Sequence, residues 1–497
     1  MSWRTNLHGW RLTLLLTLAA LCTACATVVA AVPVAQQTAR PMQPISRPTA
    51  AATAYNACAV PHDVPTTRHI VSADIDYASR RVLVSQRVHY VNRTDAELTG
   101  IVMNVEPIHW PGVFVLNALT QDEVTLAHDW DGKQLKIDLP EQLYPGCETY
   151  LALGFSLAMP AVGEGVYARK GYFGYTARQL NLGHWLPTVA VFDDGNWVSN
   201  QFFLIGEQEV LDPADWQVTV NLVGETDDVQ VIGPGVVMAL GASRWRFDHR
   251  DARDFTLSLS QRFSMDHRET PSGVVVELYT FTESEANGAA FTAMDVAASS
   301  LTLFSGLFGE YGHPRLVLVE GDFPDGMEFS GLAFIGSHWF QSYPNTPASY
   351  LVLITVHEVA HQWWYGSVGN DSARHPWLDE SLSTYSEYIF LEAYFPNLRE
   401  WWWRFRVDPF SPVGDVGSQV YQFNTSRDYI NAIYLNGVRM LHAVRSDLGT
   451  DAFYQFLADY AEAGRGQLMS PDRFWSQLSD EQRASTEATR RLYFSNP

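Results

Sequence analysis

Two histidines and a glutamate stand together at His357-Glu358-Val359-Ala360-His361, inside an apolar stretch of helical character. Positions four apart share one helix face. Both imidazoles can therefore bind one Zn2+, with Glu358 beside them, facing a metal-held water. Zinc lowers that water's pKa towards ~7, and a carboxylate base removes its proton. Alone, such a helix is equally compatible with satisfied structural histidines. It is not alone, because Glu380 follows His361 after a gap of eighteen residues, in Trp377-Leu378-Asp379-Glu380-Ser381. A second helix starting near Trp377 could present Glu380 as third ligand and leave the fourth tetrahedral position open, as catalytic zinc requires. Glu387 lies two turns further along the same face and could hold a ligand imidazole by its distal N–H.

These residues need a scaffold, and the patterning divides the chain in two. Over residues 63–262, Val218, Val220 and Leu222 alternate with polar neighbours, as do Phe255, Leu257 and Leu259. That is the period of half-buried strands. Turn signals at Asp131-Gly132, Pro145-Gly146 and Gly233-Pro234-Gly235 separate the runs, which predicts an antiparallel β-sandwich domain. Residues 263–497 read as α+β. Strands are expected at 274–279 and 315–320, a helix at 286–308, and further helices near 348–366, 378–394, 428–447 and 450–463. The segment from Ser470 reads as helical.

The 497 residues carry 33 Lys+Arg against 55 Asp+Glu, a formal charge of −22. So acidic a surface repels phosphate backbones and excludes general nucleic-acid binding. Apolar residues at 46% support buried cores. At the N-terminus, Arg4 and Arg11 precede the apolar run Leu12 to Leu21, which is too short for a bilayer and fits a signal peptide. Thr23 and Ala24 before Cys25 resemble a bacterial lipoprotein signal, so residues 1–25 are expected to be removed up to an acylated Cys25. Cys22 stands where such signals usually carry Leu, and ordinary cleavage after Ala30 is the alternative. Residues 26–62 read as a flexible Ala/Pro/Thr-rich linker. No later run is expected to be long or apolar enough to span a bilayer, so the mature body is expected to be soluble. The expected location is the outer face of the cell membrane or the periplasm. Cys58 and Cys147 either pair or remain buried thiols, and an oxidising compartment favours pairing.

HEVAHQWW, the eighteen-residue gap and WLDESLSTYSE together resemble the aminopeptidase N family of zinc metallopeptidases, which includes the leukotriene hydrolases. The resemblance spans roughly residues 65–497. It implies an N-terminal β domain and a thermolysin-like catalytic domain, with one Zn2+ on His357, His361 and Glu380. By this resemblance the chain is expected to end where that catalytic domain would, with the family's helical C-terminal domain missing. The family's Gly-Ala-Met-Glu-Asn segment resembles Asp325-Gly326-Met327-Glu328-Phe329, in which Met327 and Glu328 match and Gly326 replaces Ala; this implies that Gly326, Met327 and Glu328 bind substrate, Glu328 through its free α-amine. An ammonium paired there would fix the distance to the scissile bond. Tyr434, in Tyr434-Leu435-Asn436-Gly437, matches the family's oxyanion-binding tyrosine, with Tyr429 as a nearby decoy. Thr176-Ala177-Arg178-Gln179 resembles a segment whose last residue assists amine recognition, so Gln179 joins the set. His338, His375 and His442 are expected to be structural or surface residues.

The expectation is thus a zinc aminopeptidase acting on peptides with a free N-terminus. Glu358 would be its general base and Tyr434 its oxyanion donor. A zinc endopeptidase is one rival, and Glu328 argues against it. A non-catalytic peptide-binding surface protein is the other, and Glu358 and Tyr434 argue against that.

Overall fold

The computed structural model describes residues 58, 60–61, 64–163, 170–224, 226–284 and 287–495. The expected signal segment, with Cys25, and nearly all of the expected linker lie outside the described residues.

The N-terminal part is a stack of β-sheets. Its largest sheet has eight strands, with Thr67–Asp76, Arg81–Val91, Glu148–Ala158 and Ala214–Val223 at its centre. Alternate residues of these strands are buried, among them Val71, Ala73, Val218, Val220 and Phe155. They pack against smaller sheets that contain Leu98–Asn104, Gln134–Leu143 and Leu257–Ser260. The sandwich departs from the expected antiparallel pattern at one pair: Thr67–Asp76 runs parallel to Ala214–Val223. Leu257–Ser260 departs too, being buried on both faces because it lies beneath the second domain. Cys58 and Cys147 form a disulfide. Gly146 makes this possible, since it adopts a φ of +77° and a Cβ there would press on the Cys58 carbonyl.

The second part opens with a five-stranded sheet: β1 (Phe263–Glu269), β2 (Val275–Phe281), β3 (Arg315–Gly321), β4 (Gly326–Phe329) and β5 (Leu332–Gly336). The spatial order is β1-β2-β3-β5-β4, so β4 is an edge strand, paired antiparallel to β5 alone. Helices follow: α1 (Ala289–Phe308), α2 (Tyr350–Ala360), α3 (Trp377–Tyr394), α4 (Gly437–Leu448) and α5 (Thr450–Gly464). α1, α2 and α3 share one hydrophobic core with the sheet. By length and composition α1 could cross a membrane, contrary to the sequence reading. Here it packs as a core helix, with Ala293, Ala297, Leu301 and Phe304 buried.

Three helical expectations change. α2 ends at Ala360 and passes into a wide π-type turn at Gln362–Ser367, with Trp364 and Tyr365 off helical geometry. The expected helix at 428–447 is a short turn of helix, a π-turn at Ile430–Asn436, and α4. After Ser470 three short helices stand in place of one.

The two parts are bolted together by Arg253, which is 1% exposed. Its guanidinium donates to the carbonyls of Leu211, Tyr365, Gly366, Ser367 and Gln467. The turn after α2 is thereby held from outside its own helix, and carbonyls left open by the helix end are satisfied.

Candidate active site

α2 is buried along its length, so its polar side chains must find partners inside the protein. His357 and His361 lie one turn apart and bring their Nε2 atoms to 3.0 Å. Glu380, in the first turn of α3, places Oε2 at 3.2 Å from His357 Nε2 and 3.5 Å from His361 Nε2. Ligands 2.0–2.1 Å from a tetrahedral zinc lie about 3.3 Å apart. The trio has that spacing, and among the described residues it is the one cluster close enough to hold a metal ion. Two neutral nitrogens and one carboxylate suit zinc, so the residues present fit the ion.

The outward ring nitrogens are also directed. His361 Nδ1 donates to the carbonyl of Trp364 at 3.0 Å, which only the turn after α2 makes possible. His357 Nδ1 faces Glu387 Oε1 at 3.4 Å. Glu387 is itself held by Trp402 Nε1 at 3.0 Å and by Arg406 Nε at 3.1 Å. These partners leave both Nε2 lone pairs to the metal position. Burial opposes protonation of both imidazoles, but Glu380 outweighs it: His357 is raised, and His361 is pushed up to about 9. Glu380 is held below the usual carboxylate range because the two histidines outweigh its burial.

Glu358 lies between the trio and β4. Burial pushes its carboxyl up to about 7, against the pull of the two histidines. Its Oε2 is buried and has no hydrogen-bond partner among the described residues. Gly326 fits this closely, for a Cβ there would overlap Glu358 Oε1. Strand alternation places Glu328 on the same face as Gly326. Glu328 is 7% exposed, and its carboxyl is raised well above the ordinary range, first by burial and then by Glu380 and Glu358. Met327 points the other way. It is 3% exposed in the core shared with Phe329 and Phe334, so it supports β4 and does not line the cleft.

Tyr434 comes from the π-turn before α4. Its ring stacks on His357 at 5.9 Å, and its hydroxyl donates to Glu380. Tyr429 meets Tyr434 edge-on at 5.6 Å and is 4% exposed. His442 bonds the Tyr385 hydroxyl at 3.0 Å, a structural role. His338 and His375 are not part of the metal cluster.

Gln179 does not reach the cleft. Its Nε2 donates to Ser258 Oγ and the Glu320 carbonyl, and its Oε1 accepts from Asp322 N–H. Its amide joins the β domain to β3, with both of its N–H groups occupied. Glu207, which sequence reasoning missed, is the better candidate. It is half-buried, with its carboxyl raised well above the ordinary range by burial first and then by Glu328. It sits in an irregular loop, where no periodicity marks it.

Residues 292–492 match the model of the peptidase family M1 domain. Aminopeptidase M1-B of Oryza sativa subsp. japonica is 30% identical over 233 residues, covering 43% of this chain and 26% of that protein. Aminopeptidase N of Lactobacillus delbrueckii subsp. lactis is 26% identical over 229 residues, covering 42% and 27%. The chain thus spans about a quarter of the length of the curated relatives it matches. An M1 zinc metallopeptidase from Deinococcus radiodurans superposes with a TM-score of 0.63 at 17% identity, covering 86% of this chain and 93% of that one. At that identity the likeness is one of fold. A variant of the same Deinococcus protein bound to a Tyr-Ser-Ala substrate gives a TM-score of 0.62. Residues 292–492, which carry His357, His361 and Glu380, thus match the peptidase family M1 domain, and this part of the chain is similar to the aminopeptidase N proteins.

Proposed function

We propose that this chain is an exported zinc aminopeptidase that removes N-terminal residues from peptides. The observation that carries the reading is the position of Glu328. It lies on an edge strand, on the same face as Gly326, and Gly326 touches Glu358. This supports a reading in which Glu328 anchors the substrate amine beside the base.

Zinc, when bound, supplies Lewis acidity and a water of lowered pKa. The chain's own groups do the rest. His357, His361 and Glu380 hold the ion. Glu358 takes a proton on its unpartnered Oε2 and later delivers it to the leaving amine. Tyr434 donates its hydroxyl to the carbonyl oxygen as charge develops there. Glu328, with Glu207, accepts N–H bonds from the substrate ammonium. Both carboxyls are raised by burial and by neighbouring carboxylates, and a cation relieves both. The open edge of β4 offers backbone groups to an extended peptide. Glu328 and Glu207 disfavour an endopeptidase, because an internal peptide bond brings no ammonium. An unpartnered Glu358 disfavours a mere binding scaffold.

Export, with a membrane tether through acylated Cys25, is part of the proposal. The Cys58–Cys147 disulfide supports an oxidising compartment. Cys25→Ser should move the protein from the membrane fraction to the soluble fraction, and an unchanged distribution would remove the tether.

The test of activity compares one short peptide with its N-acetylated twin, with and without a chelator. Chelator-sensitive cleavage of the free-amine peptide alone supports the reading. Equal cleavage of both overturns the anchor and favours an endopeptidase. Cleavage of neither, across a peptide panel, favours the binding scaffold.

A further inference from the structure

The β domain carries a cavity of about 610 Å3 that none of the residues assigned above to metal, base or amine binding lines. This volume suits a small ligand. At its wall is His69, on the strand Thr67–Asp76, 1% exposed and stacked on Trp216 at 4.0 Å. Gln86 fixes its tautomer. The Gln86 Nε2 lies 2.9 Å from His69 Nδ1 and 2.7 Å from the Pro187 carbonyl. The carbonyl requires an N–H there, so the amide cannot be turned around, and Nδ1 is the acceptor. Burial lowers the His69 pKa to about 3, so the ring is neutral and its proton sits on Nε2. That N–H has no partner among the described residues.

The rest of the wall carries four carboxylates and two arginines among neutral residues. Asp95, Asp193, Asp194 and Asp212 line it, and none has an ion pair among the described residues. Asp193 and Asp212 are close enough to raise the Asp212 pKa, after burial and against the pull of Arg253. The two arginines of the lining do not neutralise the wall by contact. Arg253 is occupied by backbone carbonyls, and Arg93 donates to the carbonyls of Val60, Pro61 and Val64. Tyr90 and Phe192 add aromatic surface, which favours an organic cation. A metal ion is disfavoured, because these carboxylates do not converge as His357, His361 and Glu380 do.

We propose that this cavity is a second binding site, for a small organic ammonium that also carries a carbonyl acceptor. The ammonium lies among Asp193, Asp194 and Asp212, and the acceptor takes the His69 Nε2–H. The site is independent of the peptidase reading, since binding can be measured without turnover.

The probe is N-acetylcadaverine, which has one ammonium and one carbonyl, titrated calorimetrically into the full chain. Saturable binding is expected, weakened at least tenfold for diacetylated cadaverine, which lacks the charge. Cadaverine, which lacks the acceptor, should bind several-fold more weakly. Asp212→Asn and Asp193→Asn should each weaken binding at least fivefold while peptide hydrolysis stays unchanged. Should one variant fail to fold, the other carries the test. Absence of binding at millimolar probe would overturn the proposal. So would binding that survives both Asp variants, or binding that disappears in Glu328→Gln, which would place the probe in the peptidase cleft.

Discussion

His357 turns its two ring nitrogens towards two different carboxylates: Nε2 lies 3.2 Å from Glu380, and Nδ1 lies 3.4 Å from Glu387. The first contact shapes the metal position, and the second fixes which nitrogen is free to serve it. Glu387 is in turn pinned by Arg406 and Trp402, so the imidazole's orientation depends on residues up to 49 positions away in sequence. Glu387→Gln should therefore weaken zinc binding roughly 10–100-fold with all three ligands present. Competition against a fluorescent chelator reads this directly, and an unchanged affinity would mean that Glu387 only fills space. Arg406→Met should weaken zinc in the same direction, by letting Glu387 turn away from the ring.

The contact between Gly326 and Glu358 predicts the effect of a single methyl group. Gly326→Ala places a Cβ where Glu358 Oε1 now lies, so the base must move. Displacing a catalytic group by about 1 Å can cost 10²-fold. The expected result is a fall in kcat of up to about that size, with zinc content unchanged. Full activity in Gly326→Ala would show that Glu358 need not sit against β4.

Tyr434 should separate binding from chemistry. Its hydroxyl meets Glu380 in the resting site and would have to turn to the substrate oxygen. Tyr434→Phe removes one oxyanion donor, worth about 2.7–4 kcal/mol in kcat. KM should change little. The control is Tyr429→Phe, since Tyr429 is buried beside Tyr434. If Tyr429→Phe costs more than Tyr434→Phe, the roles are exchanged.

Much of the site was legible because its logic is local. An i, i+4 pair on a helix fixes two ligands, and a helix start eighteen residues on supplies the third. Met327 was misread because motif matching ignores strand alternation, which sends it to the face opposite Gly326 and Glu328. Gln179 was misread because its three partners lie 79 to 143 residues away. The end of α2 was misplaced for a similar reason, as Arg253 of the β domain bonds the turn from 112 or more residues away. Glu207 sits on a loop, where neither period nor motif applies. The order of β domain, small sheet and helices was legible from periodicity. The one parallel pair in the large sheet was not, because strand partners are set by packing.

A last prediction concerns a charge pair outside the cleft. Lys133 is 5% exposed and bonds Glu106 in the β domain. Burial would raise the Glu106 carboxyl, but Lys133 and His109 outweigh it and hold the pKa below the ordinary range. A depressed carboxyl contributes stability that is present above its unfolded pKa, ~4.3, and is lost as pH falls towards the folded value. Lys133→Met leaves a largely buried carboxylate with His109 as its remaining partner, which at neutral pH costs up to roughly 3–5 kcal/mol. The difference between wild type and Lys133→Met in urea midpoint should therefore be large at pH 7 and shrink as pH falls, beginning where Glu106 of the variant, raised by burial, takes up its proton. Adding Glu106→Gln to Lys133→Met should recover most of the loss at pH 7. A midpoint difference that stays constant from pH 7 to pH 3 would mean that Lys133 stabilises the domain by packing its stem, independent of Glu106.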